Sequence, residues 1–177
     1  MIFFDRFFLK MRRKLQKKDI GIIQGKISVI DDLIKETSKE FLEADKLIVL
    51  PGCIDTQVHF REPGDEDKET LESGSMAALS GGFTRVCTMP NTSPAIDSPE
   101  LIRYIVNRSN ECPIHIHPIG AVTKSQKGKE LTEMKAMLNE GAVAFSDDGF
   151  PIQDASIMRS ALEYSTLVDI CLLYTSD

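Results

Sequence analysis

No stretch of the 177 residues approaches the roughly 18 consecutive apolar residues that a membrane-spanning helix needs. No GxGxxG follows the first strand of the repeating part, so the phosphate-cradling turn of a dinucleotide fold is missing. The four cysteines (Cys53, Cys87, Cys112 and Cys171) are widely spaced and contain no CxxC. That pattern is expected of free thiols buried in a reducing cytosol. Basic excess is lacking too: a net charge of −6 argues against nucleic acid as a bulk partner.

What is present is a soluble-protein composition, 42% apolar and 27% charged, with enough chain for one sizeable core. The charge is uneven. Residues 1–18 carry seven Lys/Arg against Asp5 alone, so they are +6 and the remainder is −12. They open on the aromatic run MIFFDRFFL and continue into KMRRKLQKK. A secretory leader would place its charges first and a longer apolar stretch second, the reverse of this order. Three readings stay open: a basic amphipathic segment lying on a membrane surface, an irregular first strand with a basic turn, or a misplaced start codon.

From residue 52 a strand-then-helix unit recurs about every 29 residues. Strand-like runs begin at Cys53, Thr84, Pro113, Ala142 and Val168; helical patterns cover Thr70–Leu79, Pro99–Asn107, Glu130–Glu140 and Ala155–Tyr164. Thr70 and Ser98 are placed to cap their helices, with Pro99 at the first helical position. Gly81-Gly82 and Gly141 stop theirs. Such alternation implies right-handed crossovers and a parallel sheet. The period fits a (β/α)8 TIM-type barrel, yet eight units need about 250 residues. Four and a half units leave an unpaired edge and half a core. The expectation is an N-terminal fragment: residues 51–173 as the first half of a barrel and 174–177 as a non-native tail. Residues 1–50 would be part of a β-rich, sandwich-type subdomain. Within it, DIGIIQGKISVID reads as a hairpin about Gln24-Gly25. A short acidic helix over Leu33–Glu43 and a strand in KLIVL follow.

The chemistry concentrates in PGCIDTQVHFREPG, residues 51–64, where an apolar strand runs into His59, Arg61 and a Pro-Gly stop. Asp147 and Asp148 follow the fourth strand. Both strand ends point to one rim of a barrel, so a histidine and a carboxylate could share a metal there. Each alone is weak, since strand-end histidines are often structural and Asp-Asp-Gly is a routine turn. Arg61 offers a rigid, permanently charged fork for a carboxylate, with a surface ion pair to Glu62, Asp65 or Glu66 as its alternative. Asn91, in MPNT after the second strand, offers a donor and an acceptor, or an Asx turn. His115 and His117 share a strand face, but Pro113 and Pro118 bracket them and no acid matches, so they read as core or rim residues.

These residues together carry a resemblance. PGCIDTQVHFREPG, KETLESGSMAALSGGFTRVCTMPNTSP and AFSDDGFPI resemble the N-terminal half of a dihydroorotase, a cyclic amidohydrolase of the barrel-type amidohydrolase superfamily, over roughly residues 44–168. The resemblance implies reversible closure of carbamoyl aspartate to dihydroorotate in pyrimidine synthesis, with one or two zinc ions, in the cytoplasm. Under it His59 matches the second histidine of a His-x-His zinc pair and Asp148 a zinc-ligating aspartate, with Asp147 the neighbour should the match slip by one. Arg61 and Asn91 match the pair that grips the substrate carboxylate. The implied partners are that small molecule and a homo-oligomer or an aspartate transcarbamoylase, with no nucleic acid and no membrane.

Two departures qualify the resemblance. Gln57 occupies the slot of the first zinc histidine, and a neutral amide is a poor zinc ligand. The fifth strand should end in another zinc histidine, but CLLYTSD puts Thr175 near that slot. The general-base aspartate has no match in the chain and belongs to a missing C-terminal half, so the 177-residue chain is expected to be inactive. The rival readings are an allantoinase- or hydantoinase-type enzyme and a zinc-free homologue scaffolding an aspartate transcarbamoylase.

Overall fold

Alternating apolar and polar residues on both sides of Gln24-Gly25 form the hairpin that the pattern predicts. Gln24 and Gly25 both adopt positive φ, 51° and 73°, the two-residue turn whose twist suits antiparallel strands. The computed structural model describes residues 2–11, 14–35, 37, 39–44 and 47–173, with side chains from Lys17 onward. The chain divides into two compact units between Pro51 and Gly52.

The first unit is a five-stranded sheet. β1 (Ile2–Met11), β2 (Lys14–Ile23) and β3 (Lys26–Asp31) pair antiparallel in sequence, while β4 (Glu40–Glu43) and β5 (Ile48–Val49) both pair parallel with β1. Residues 2–11 and 14–18 are thus strand, and the basic turn expected between them falls on residues 12 and 13, outside the described residues. The helix expected over Leu33–Glu43 is not formed. Glu40–Glu43 instead pairs with Ile2–Asp5, a contact across some forty residues that overrides local helix preference.

The second unit is α/β. β6 (Cys53–Val58), β7 (Phe83–Thr88), β8 (His115–Gly120) and β9 (Ala144–Phe145) form a parallel sheet in that order. Helices α1 (Leu71–Ser80), α2 (Pro99–Ser109), α3 (Met134–Asn139) and α4 (Ala155–Val168) alternate with the strands. Thr70 caps α1 in a reciprocal capping box with Ser73, and Ser98 caps α2 ahead of Pro99. One face of the sheet packs on the helices through Val86, Ile114, Ile116 and Phe145 against Leu71, Ile102, Ile105, Met134 and Met137. Burying each such side chain contributes about 1.5–3 kcal/mol. The other face carries only a small cluster of Met89, Ile119 and Ala144, with Cys87 against it.

Two boundaries differ from the pattern. Helix α3 starts at Met134 because Leu131 bridges to Thr123, and Thr132 bonds Val122 through its backbone and Ala121 through its hydroxyl. Helix α4 runs on to Val168 and is closed by Asp169 at φ 54°, so the fifth strand does not begin there. Phe145 exchanges bonds with Cys171 and Leu173 instead, at 3.0 and 2.8 Å. The expected non-native tail, with Thr175, lies outside the described residues. All four cysteines are free, but none is buried. Cys53 and Cys171 are exposed, and Cys87 and Cys112 half-buried. No helix among the described residues is long and apolar enough to cross a membrane.

Candidate active site

His59, Asn91 and Asp148 meet at the C-terminal ends of β6, β7 and β9. His59 Nδ1 lies 3.0 Å from Asn91 Oδ1 and 3.9 Å from Asp148 Oδ2. β6 and β9 are the outer strands of the four, and in a flat sheet they would stand about 14 Å apart at ~4.8 Å per strand. Contact between residues at their ends therefore requires the sheet to curl, bringing its two edges toward each other at this rim. An amide oxygen only accepts, so the bond to Asn91 puts the proton on Nδ1 and leaves the Nε2 lone pair available.

The two adjacent aspartates do different work. Asp147 is buried: its Oδ1 accepts from Val122 N (2.8 Å) and Thr123 N (2.9 Å), and its Oδ2 from the Thr123 hydroxyl. Burial pushes its pKa above the usual aspartate range, with those three bonds opposing. It staples the end of β9 to the segment after β8. Asp148 then turns at φ 51°, with its N–H on Ser146 Oγ at 3.0 Å, and its carboxylate faces His59.

Arg61 and Asn91 stand on loops tied together, since Met89 N donates to Val58 O (2.9 Å) and Ser93 N to Pro63 O (3.0 Å). Gly64 completes the joint. At φ 107°, a Cβ there would stand 1.9 Å from Ser93 O, so no other residue fits without moving backbone. The surface ion pairs weighed for Arg61 are not made. Asp65 pairs with Lys68 (3.0 Å) and Glu66 accepts from Gly64 N (2.9 Å). Among the described residues the half-buried Arg61 guanidinium has no carboxylate partner. Asn91 makes no Asx turn; its Oδ1 is on His59 and its Nδ2 donors stay available.

Glu62, expected at the surface, is buried at 4% exposure. It accepts from Leu71 N at the start of α1 (2.9 Å), from Tyr104 OH (2.7 Å) and from Arg108 Nε (3.1 Å). Burial pushes its pKa up, but those three bonds and the Arg108 charge outweigh it and hold it below the usual glutamate range. Nothing local in the sequence marks this role, because two of the partners lie 42 and 46 residues away.

An imidazole and a carboxylate are donors that zinc accepts. His59 and Asp148 fit such a site in part, as two of its ligands, and the described residues contain no group of three His, Cys, Asp or Glu that could hold a metal. Gln57, two residues before His59, is exposed, and its backbone N–H rests on Asp55 Oδ1 at 3.0 Å. His115 and His117 stay apart from this rim. They lie in the first half of β8, the former exposed and the latter half-buried, with Arg85 Nη1 3.2 Å from His117 Nε2. Burial, then the Arg85 charge, lowers the His117 pKa.

The dihydro-orotase-like family matches residues 46–177, and the chain belongs to that family. It is 43% identical over 160 residues to the dihydroorotase of Pelotomaculum thermopropionicum and 44% identical over 156 residues to that of Solibacter usitatus. These matches cover 90% and 88% of this chain but 38% and 36% of those proteins, so it spans little more than a third of their length. The fold is shared with the L-hydantoinase (dihydropyrimidinase) of Arthrobacter aurescens, at a TM-score of 0.78, 17% identity, 97% of this chain and 39% of that one. A D-hydantoinase (dihydropyrimidinase) from Thermus sp. superposes at 0.73 with 22% identity, covering 97% and 39%.

Proposed function

We propose that this chain supplies the first half of a (β/α)8 barrel in a cytoplasmic zinc amidohydrolase that reversibly opens the cyclic amide of dihydroorotate to carbamoyl aspartate. His59 and Asp148 are two of the zinc ligands, and Arg61 and Asn91 bind the substrate carboxylate. The observation that carries this is the meeting of His59 and Asp148, from strands at opposite edges of the sheet, with Asn91 against His59 at the same rim. A bound zinc ion would polarise the scissile carbonyl and acidify water at neutral pH.

The chain's own residues orient and hold. Asn91 links both tasks: its Oδ1 fixes the His59 tautomer and its Nδ2 remains a donor for the substrate. Arg61, unpaired by any carboxylate of the described residues, keeps its fork open for one from the ligand. The general-base aspartate is expected from the C-terminal half of the barrel, so the 177-residue chain alone should not hydrolyse dihydroorotate.

The test is a chimera joining residues 1–173 to the C-terminal remainder of the Pelotomaculum dihydroorotase. Dihydroorotate hydrolysis by the chimera, with none by either piece, supports the reading; a zinc-loaded, folded chimera without activity sinks it. In that chimera Arg61→Met should lower kcat/KM for dihydroorotate about thirtyfold, ~2 kcal/mol, as loss of a charged hydrogen bond. An uncharged cyclic amide should be almost unaffected. Equal losses on both substrates would favour a hydantoinase-type specificity.

A further inference from the structure

A cavity of about 440 Å³ opens beside Asn91, between the loop of residues 91–97, the turn Lys124–Gln126 and Phe150. Gln126 forms part of its wall. That side chain is 8% exposed, and its amide nitrogen is buried with no hydrogen-bond partner among the described residues. A buried donor left unsatisfied is costly, and folded proteins keep few of them without a use.

The backbone beneath adds a second observation. Ser125 and Gln126 both adopt left-handed φ, 51° and 54°, which neither residue type favours. The turn is held in that state from several sides. Ser125 N donates to Asp97 Oδ2 (2.8 Å), Gln126 N to Thr123 O (2.9 Å) and Gly128 N to Thr123 Oγ1 (2.9 Å). Strain that the surroundings enforce in this way gathers at ligand clamps. Asp97 also binds the turn to the loop that carries Asn91.

We propose that Gln126 is a specificity-determining residue of the candidate site: its amide nitrogen donates to the ureido or amide carbonyl oxygen of the ligand whose carboxylate Arg61 and Asn91 hold. A neutral donor with the Asp97 carboxylate on the same wall suits a carbonyl better than an anion. The torsion that sets the terminal amide is broad, so the donor can swing to the cavity at little cost. This rests on the substrate reading above and names which group of the substrate is recognised on this side.

The 177-residue chain, labelled with 15N, is titrated with N-carbamoyl-L-aspartate and separately with succinate, which keeps the carboxylates and lacks the ureido group. The expected result is that Arg61 Nε and Asn91 Nδ2 signals move with both ligands, and the Gln126 side-chain amide moves with carbamoyl aspartate alone. Gln126→Met should weaken carbamoyl aspartate about fivefold, the loss of one neutral hydrogen bond, and leave succinate unchanged. It should also raise the urea midpoint, because an unpaired buried amide is replaced by an apolar chain of similar length. Movement of Arg61 and Asn91 with Gln126 silent, or a lowered midpoint in Gln126→Met with carbamoyl aspartate binding intact, overturns the role of Gln126 and spares the carboxylate clamp. Silence at all three positions overturns both.

Discussion

Glu62→Ala should destabilise the second unit by ~3 kcal/mol, the cost of breaking a buried carboxylate network. The loss is large because one side chain serves three elements. Its Oε2 satisfies an orphan N–H at the start of α1, and its Oε1 receives α2 through Tyr104 and Arg108. Removing it strands a buried donor at Leu71 and frees the loop that carries Arg61. Urea unfolding followed by circular dichroism measures the change, and a shift under about 1 kcal/mol would show that the network is incidental.

The same residue sets an acid limb. Its folded pKa lies below the usual glutamate range, so its stabilisation is fully present above about pH 4.3. It is lost as pH falls through the lower folded value. Glu62→Gln should keep part of the bonding and flatten the unfolding midpoint against pH in that window. An acid limb identical to that of the unaltered chain would assign the proton uptake elsewhere.

The legible parts of this chain were those settled locally. Thr70, Ser98 with Pro99, and Gln24-Gly25 act through neighbours within four residues, and each is found in its predicted role. The meeting of His59 and Asp148 was legible because strand ends in a repeating β/α pattern share a rim, which is how the two come within 3.9 Å. What escaped depends on distant pairing. Glu40–Glu43 is strand only because β1 lies beside it, and Glu62 is buried only because α2 returns over it. Cys53 and Cys87, the two cysteines on strands, escape burial for a related reason. A strand-like apolar run implies burial only when both faces of its sheet are covered, and here one face is open. Gln126 left no signal, since an unsatisfied amide exists only in three dimensions.

Gln57→His should raise the zinc affinity of the 177-residue chain about 100-fold, ~2.8 kcal/mol. Gln57 lies in β6 and His59 directly follows its end, two residues apart as in the His-x-His zinc pair that the family resemblance implies. The substitution would add a second imidazole to the existing imidazole and carboxylate, turning a two-donor arrangement into the three-donor set that catalytic zinc sites use. Cobalt(II) absorption and competition with a chelating dye read the change in solution, without any need for activity. Affinity in the variant should fall in acid, because protons compete for the same lone pairs. Asp148→Asn placed on top of Gln57→His should return the affinity most of the way to that of the unaltered chain, whereas Asp147→Asn should alter folding stability more than metal binding, since its oxygens are spent on Val122 and Thr123. Equal zinc affinity with glutamine or histidine at 57 would mean that the rim does not converge on one ion, and the zinc-free homologue would then be the better account of this chain.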